Sequence, residues 1–212
     1  MGTGIVVCWR KYSTKFMDRY LHMKYTAKLH TKDFTILCPN CIAGNIYHRL
    51  GLPFLTPTIN CFTSQEDFIK IINNAEYYFS QELQFIETDK PFPVAMLGDV
   101  TYNFNHDTDP EKCRNDWNRR RERIQWENIY IILYEEHPMT REEVLALQKI
   151  PCKRLIVLTD RPEHADLDYV KLLRRNFGRP NERHFLDRDS YGVQTFEKQF
   201  DFVNWLNGKS NF

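Results

Sequence analysis

No stretch of this 212-residue chain holds the roughly 20 consecutive apolar residues that a membrane-crossing helix needs. A secretory leader is also missing from the sequence given. The apolar run Ile5-Val6-Val7-Cys8-Trp9 is too short for one, and no basic residue precedes it. These absences predict a cytoplasmic protein, at most peripheral on a membrane. Charge of one sign is lacking too: 29 basic and 28 acidic residues leave a net charge of +1. No bulk field then draws the chain to nucleic acid or anionic lipid, and any grip on a polyanion must come from a local cluster. There is no internal repeat, low-complexity tract or linker. The expected organisation is one α/β domain over 33–212 behind a helical lead-in over 1–32.

The six cysteines (Cys8, Cys38, Cys41, Cys61, Cys113 and Cys152) are scattered through a chain long enough to bury a core without staples. They read as free thiols in a reducing compartment. Aromatics are plentiful at 14%, including fifteen Phe and eleven Tyr, which implies a ring-rich core or a cleft where rings stack on a ligand.

The pattern along the chain alternates strands and helices. Residues 10–32 are basic, with Phe16, Tyr20, Met23 and Ala27 at helical spacing. Asp33-Phe34-Thr35-Ile36-Leu37-Cys38 reads as a buried strand, and residues 41–50 as a helix closed by Gly51. Ser64 is a natural cap for a helix bearing Phe68, Ile71 and Ile72. Short strands are predicted at 83–86 and 94–97. A helix led by Asp109-Pro110 should run to about Gln125. Ile129–Tyr134 and Arg154–Leu158 flank a helix over 140–149, a crossover that demands parallel strands covered on both faces. A last helix is expected around Phe196–Leu206. The fold class is therefore α/β, Rossmann-like, with a mainly parallel sheet in a three-layer α/β/α sandwich.

Three stretches carry residues suited to chemistry. In Cys38-Pro39-Asn40-Cys41, a strand breaks into a helix whose N-terminus would favour a thiolate or an anion. Cys41 can be a nucleophile, half of a redox pair with Cys38, part of a metal site or a buried thiol in a tight turn. The sequence has no second paired cysteine motif to complete zinc, so no metal is expected, and nothing calls for a cofactor. The loop from Gly98 to Asp107 offers His106 as a general base, with Asp99 or Asp107 to orient it, or simply caps the next helix. In Trp117-Asn118-Arg119-Arg120-Arg121-Glu122-Arg123, guanidinium forks beside an indole suit a phosphate or nucleotide diphosphate. The alternative is a solvated basic face neutralised by Asp116, Glu122 and Glu127.

At these stretches the sequence resembles a bacterial family, domain of unknown function nineteen-nineteen, commonly labelled exopolysaccharide or capsule biosynthesis proteins. The resemblance rests on Asp33-Phe34-Thr35-Ile36, Asn40-Cys41-Ile42-Ala43-Gly44, Tyr47-His48-Arg49-Leu50-Gly51-Leu52, Thr56-Pro57-Thr58-Ile59 and Asp67-Phe68-Ile69-Lys70. It continues with His106 ahead of Trp117, Arg119, Arg120, Arg123 and Ile124, and spans about 33 to 207. The family pattern has serine at Cys38, asparagine at Pro39 and Trp-Gly-Gly where Ile42-Ala43-Gly44 stands. Its Thr-Asp-Arg-Asp becomes Tyr134-Glu135-Glu136-His137. A cysteine pair is thus not a family feature.

The resemblance implies a place near polysaccharide assembly. The leading expectation is a transferase whose nucleotide-sugar or other anionic donor is held by Asn40, Trp117, Arg119, Arg120 and Arg123, with His106 as base. Its acceptor would be a polysaccharide or lipid-linked sugar. The second is an acyl hydrolase or acyltransferase with Cys41 as nucleophile, assisted by His106 and Asp99. The third is a non-catalytic sugar-binding accessory protein. Topology further predicts that Cys41, Asp99, His106, Arg120 and Arg123 share one cleft at strand ends.

Overall fold

The basic N-terminal segment is helical, α1 spanning Thr3–Thr26 in a computed structural model that describes residues 3–174 and 185–212, with side chains from Thr14 onward. β1 (Thr35–Leu37) leads into α2 (Ile42–Leu50), which Gly51 ends at φ +64°, a left-handed C-terminal position that glycine occupies without strain. Ser64 caps α3 (Gln65–Asn73) by accepting the Asp67 N–H, and α4 (Ala75–Ser80) follows. Next come β2 (Gln84–Ile86), β3 (Val94–Leu97) and β4 (Val100–Asn103). α5 (Pro110–Arg121) starts with Asp109 accepting the Glu111 N–H and stops four residues short of the expected Gln125. β5 (Ile129–Tyr134) and β6 (Arg154–Thr159) flank α6 (Arg141–Ala146), whose start is locked by a reciprocal Thr140–Glu143 capping box. β7 (Val170–Leu172) and α7 (Phe202–Leu206) complete the described elements.

The chain divides into two compact units. One comprises Met1–Lys32, Ile46–Leu52 and Leu173–Phe212; the other comprises Asp33–Asn45 and Pro53–Leu172. In the first, a buried Arg49 guanidinium organises the surroundings. It pairs with Asp18 and with Glu197 at 2.8 Å, and donates to the Gly192 carbonyl at 3.1 Å. Tyr25 meets the Phe202 ring edge-on at 4.8 Å. The packed side of α1 is therefore carried by Asp18, Leu21 and Tyr25, whereas Phe16, Tyr20 and Met23 are exposed. The apolar stripe that helical spacing marks in the sequence thus faces solvent at Phe16, Tyr20 and Met23.

The second unit holds two sheets. The first is parallel, in the order β1-β5-β6-β7, with Ile36 opposite Tyr130 and Ile132 opposite Ile156. The three strongest apolar runs are neighbours and parallel, as the crossover requires. The second sheet is an antiparallel meander, β2-β3-β4. This corrects the single mainly parallel sheet expected from the sequence. The segment after β3 is no strand-end loop. Leu97 pairs with Val100 across the two-residue turn Gly98-Asp99, and Gly98 at φ +63° supplies the left-handed first position of a type II′ hairpin. Val100–Asn103 then returns as a strand.

The core of this unit is ring-rich, as composition predicts. Trp117, only 1% exposed, packs against Tyr102 at 5.0 Å, Phe79 at 5.9 Å and Phe104 at 6.2 Å. Its indole meets protein rings edge-on or tilted inside the core, which corrects its expected role beside a bound ligand. Trp117→Ala should therefore cost about 3–5 kcal/mol of stability through the cavity it leaves. Chemical denaturation measures this; a loss near zero would mean that the ring is not part of the core.

Candidate functional site

Two segments of the second unit meet at one thiol and one imidazole. β1 ends against the turn Cys38–Cys41, where Asn40 Oδ1 accepts the Ile42 N–H at 3.1 Å and thereby starts α2. The Cys41 carbonyl accepts the Asn45 N–H at 3.0 Å, so Cys41 sits at the last position before the first helical turn. There the free end of the helix dipole favours negative charge.

His106 arrives from the other sheet. Beyond β4, the Asp107 N–H donates to the Phe104 carbonyl at 3.1 Å, closing a tight turn with His106 at its third position. The Cys41 Sγ and His106 Nε2 lie 3.3 Å apart. Either the thiol donates to the imidazole, or an imidazolium N–H donates to a thiolate. His106 is exposed and Cys41 half-buried, so a reactant can reach the pair.

The other thiols are placed differently. Cys38 is buried and donates to Asn40 Oδ1 at 3.3 Å. Burial pushes its thiol up to about 12 against the pull of the Asn40, Ala43 and Ile42 N–H groups. Burial likewise raises Cys61 well above the usual thiol range, and Cys113 to about 11, with Asp107 adding to the shift. All five cysteines of the described side chains are free thiols. Among the described residues, no three His, Cys, Asp or Glu side chains gather as a metal-ion site.

The expected five-residue cleft is only partly assembled. Asp99 occupies the hairpin turn at the far end of β4 from His106, about four strand residues of 3.4 Å each away. It accepts from Tyr78 Oη at 2.8 Å and from Lys70 Nζ at 3.2 Å, contacts that hold its carboxyl below the usual range. It does not orient His106. Asp107, next in sequence, is taken by Lys112 at 2.7 Å.

The arginines are also largely engaged. Arg119 is exposed and pairs with Asp116, which also accepts from Arg120 at 3.1 Å. Arg121 reaches Glu82 at 3.0 Å and the Gln81 carbonyl at 2.9 Å. Arg123 lies past the end of α5, where its N–H donates to the Arg120 carbonyl at 3.0 Å. Arg120 is the buried member of the group. Its buried guanidinium lies over the Phe54 ring at 5.4 Å and donates to the Ile59 carbonyl at 3.3 Å. Cys61 lies within electrostatic reach of both Arg120 and Cys41. Burial pulls Arg120 below the usual guanidinium range, with Asp116 opposing.

Sequence reasoning singled out neither Phe54 nor Cys61 as part of these surroundings. Both lie in a segment readable only as extended, and no spacing rule points from it to α5.

Fold and site together define a mixed α/β protein with an accessible Cys–His pair at a strand–turn–helix junction. The chain belongs to the family described as domain of unknown function DUF1919, whose model matches residues 12–207. It is similar to an uncharacterized protein of Haemophilus influenzae, 27% identical over 195 residues, which cover 91% of each chain.

Iodoacetamide on the native protein near neutral pH should alkylate Cys41 about tenfold or more faster than Cys38, Cys61 or Cys113. Peptide mass mapping reads the order. Modification of Cys38 ahead of Cys41 would contradict the placement of these thiols.

Proposed function

We propose that Cys41 and His106 form the nucleophile–base pair of an acyl hydrolase or acyltransferase. The 3.3 Å contact between Cys41 Sγ and His106 Nε2 carries this reading, because nucleophilic thiol catalysis needs a base within hydrogen-bond reach. The thiol proton passes to His106 Nε2 as sulfur bonds to the acyl carbon. Collapse of the tetrahedral adduct expels an alcohol or amine, which takes the proton from His106. Water or an acceptor hydroxyl then attacks the thioester, gives its proton back to His106 and releases the Cys41 thiol. The positive end of α2 favours the anionic sulfur before attack. The family resemblance makes substituents on a bacterial surface polysaccharide, or on its lipid-linked precursor, the proposed substrate.

Glycosyl transfer from a nucleotide-sugar has less support. Asp116 and Glu82 neutralise Arg119, Arg120 and Arg121, and Trp117 is inside the core. The parallel order β1-β5-β6-β7 favours the finer description of this unit as a Rossmann-like, three-layer fold.

Hydrolysis of p-nitrophenyl acetate and of acetylated saccharides tests the proposal. Cys41→Ser should abolish turnover, and His106→Gln should lower it by about 10²–10⁴-fold. Both should leave the melting temperature nearly unchanged, because neither side chain is in the core. Turnover unaffected by Cys41→Ser would reject the nucleophile. Saccharide binding without turnover in the parent protein would favour an accessory role.

A further inference from the structure

The outer face of α1 is apolar and uncovered. Phe16 is 74% exposed, Tyr20 47% and Met23 53%, and their i, i+4, i+7 spacing sets them on one stripe. Large side chains left this exposed, contiguous and on one helix mark an interaction surface rather than ordinary scatter. Basic residues border the stripe on both sides. At 3.6 residues per turn, Arg19 and Lys15 lie about 60° and 100° to one side of Phe16, and Lys24 about 80° to the other. All three are exposed.

The charge in this segment is one-sided. Over residues 10–32, Arg10, Lys11, Lys15, Arg19, Lys24, Lys28 and Lys32 face a single acid, Asp18. That acid pairs with buried Arg49, away from the stripe. The local cluster that a net charge of +1 for the whole chain conceals is therefore here.

We propose that this face of α1 seats the protein on an anionic membrane surface. Phe16 and Met23 would enter the boundary between headgroups and acyl chains. Tyr20 would keep its hydroxyl at headgroup level, and Lys15, Arg19 and Lys24 would meet lipid phosphates. Charge selects this occupant over a second copy of the chain. Two such faces brought together would set Lys15, Arg19 and Lys24 of one helix against the same residues of the other, whereas an anionic bilayer complements them. The helix lies on the surface and does not cross it: among the described residues, no helix is long and apolar enough to span a membrane.

Co-sedimentation of the full chain tests this with two kinds of vesicle, phosphatidylcholine alone and phosphatidylcholine mixed with phosphatidylglycerol. Binding should appear with the anionic vesicles only and should weaken strongly over about a tenfold rise in salt. The double variants Phe16→Ser/Met23→Ser and Lys15→Glu/Arg19→Glu should each lose about tenfold or more in binding. Their melting temperatures should hold, because these side chains are exposed. Phe16→Trp should bind normally and shift its emission to the blue on anionic vesicles, a readout independent of the disruptive variants. No sedimentation with anionic vesicles, or binding indifferent to both double variants, would overturn the proposal. So would a dimer in solution that Phe16→Ser/Met23→Ser dissociates, which would assign the face to a second copy.

Discussion

One short antiparallel bridge holds the candidate site together. The Phe62 N–H donates to the Asn103 carbonyl at 2.9 Å, and the Asn103 N–H returns to the Phe62 carbonyl at 2.8 Å. One residue on, the Thr63 N–H donates to the Pro39 carbonyl at 2.9 Å. The exit of β4, which carries His106, is thereby tied through a single extended segment to the turn that carries Cys41. Lys90 reinforces it by donating to Asn103 Oδ1 at 2.6 Å, and Thr63 Oγ1 donates to the Thr101 carbonyl at 2.7 Å. Backbone pairs fix position better than long side chains, which carry more rotamer entropy. A thiol and an imidazole 65 residues apart in sequence can thus be held 3.3 Å apart without a covalent link.

Burial then sorts groups that look alike in sequence. Cys38 and Cys41 share one turn, yet the first is sealed in the interior and kept as a neutral thiol, while the second is half-exposed beside an imidazole. Asp99 and Asp107 are both candidate partners for His106, yet Lys70 and Lys112 hold them. Five groups proposed for one cleft resolve into a Cys41–His106 contact, a buried guanidinium at Arg120, and ion pairs.

Much of the parallel unit was legible from the apolar runs. Thr35–Leu37, Ile129–Tyr134 and Arg154–Thr159 are continuous and β-branched, and Ser64 and Thr140 announced their helices as caps do. In the second sheet the runs at 83–86 and 94–97 were legible as β2 and β3, whereas the four residues of β4 were too few for an alternating pattern to stand out. The signal that did exist was Gly98-Asp99 between two short β-prone runs. The apolar stripe on α1 left its direction open. Helical spacing says which residues share a face, but not which face packs, and Asp18 reaching Arg49 decided that. At the site, Cys41 and His106 stood out by residue type. Their meeting was expected from strand-end topology, but the bridge between Phe62 and Asn103 that sets the contact is encoded by no local pattern.

The claim that this pair is a working nucleophile and base is tested most directly by trapping the acyl-enzyme. After a brief reaction with an activated acyl ester and acid quench, intact-mass measurement and peptide mapping should show one acyl group on Cys41. The adduct should be absent in Cys41→Ser and should form far more slowly in His106→Gln. Acylation at another residue, or turnover with no adduct and no response to His106→Gln, would contradict the account.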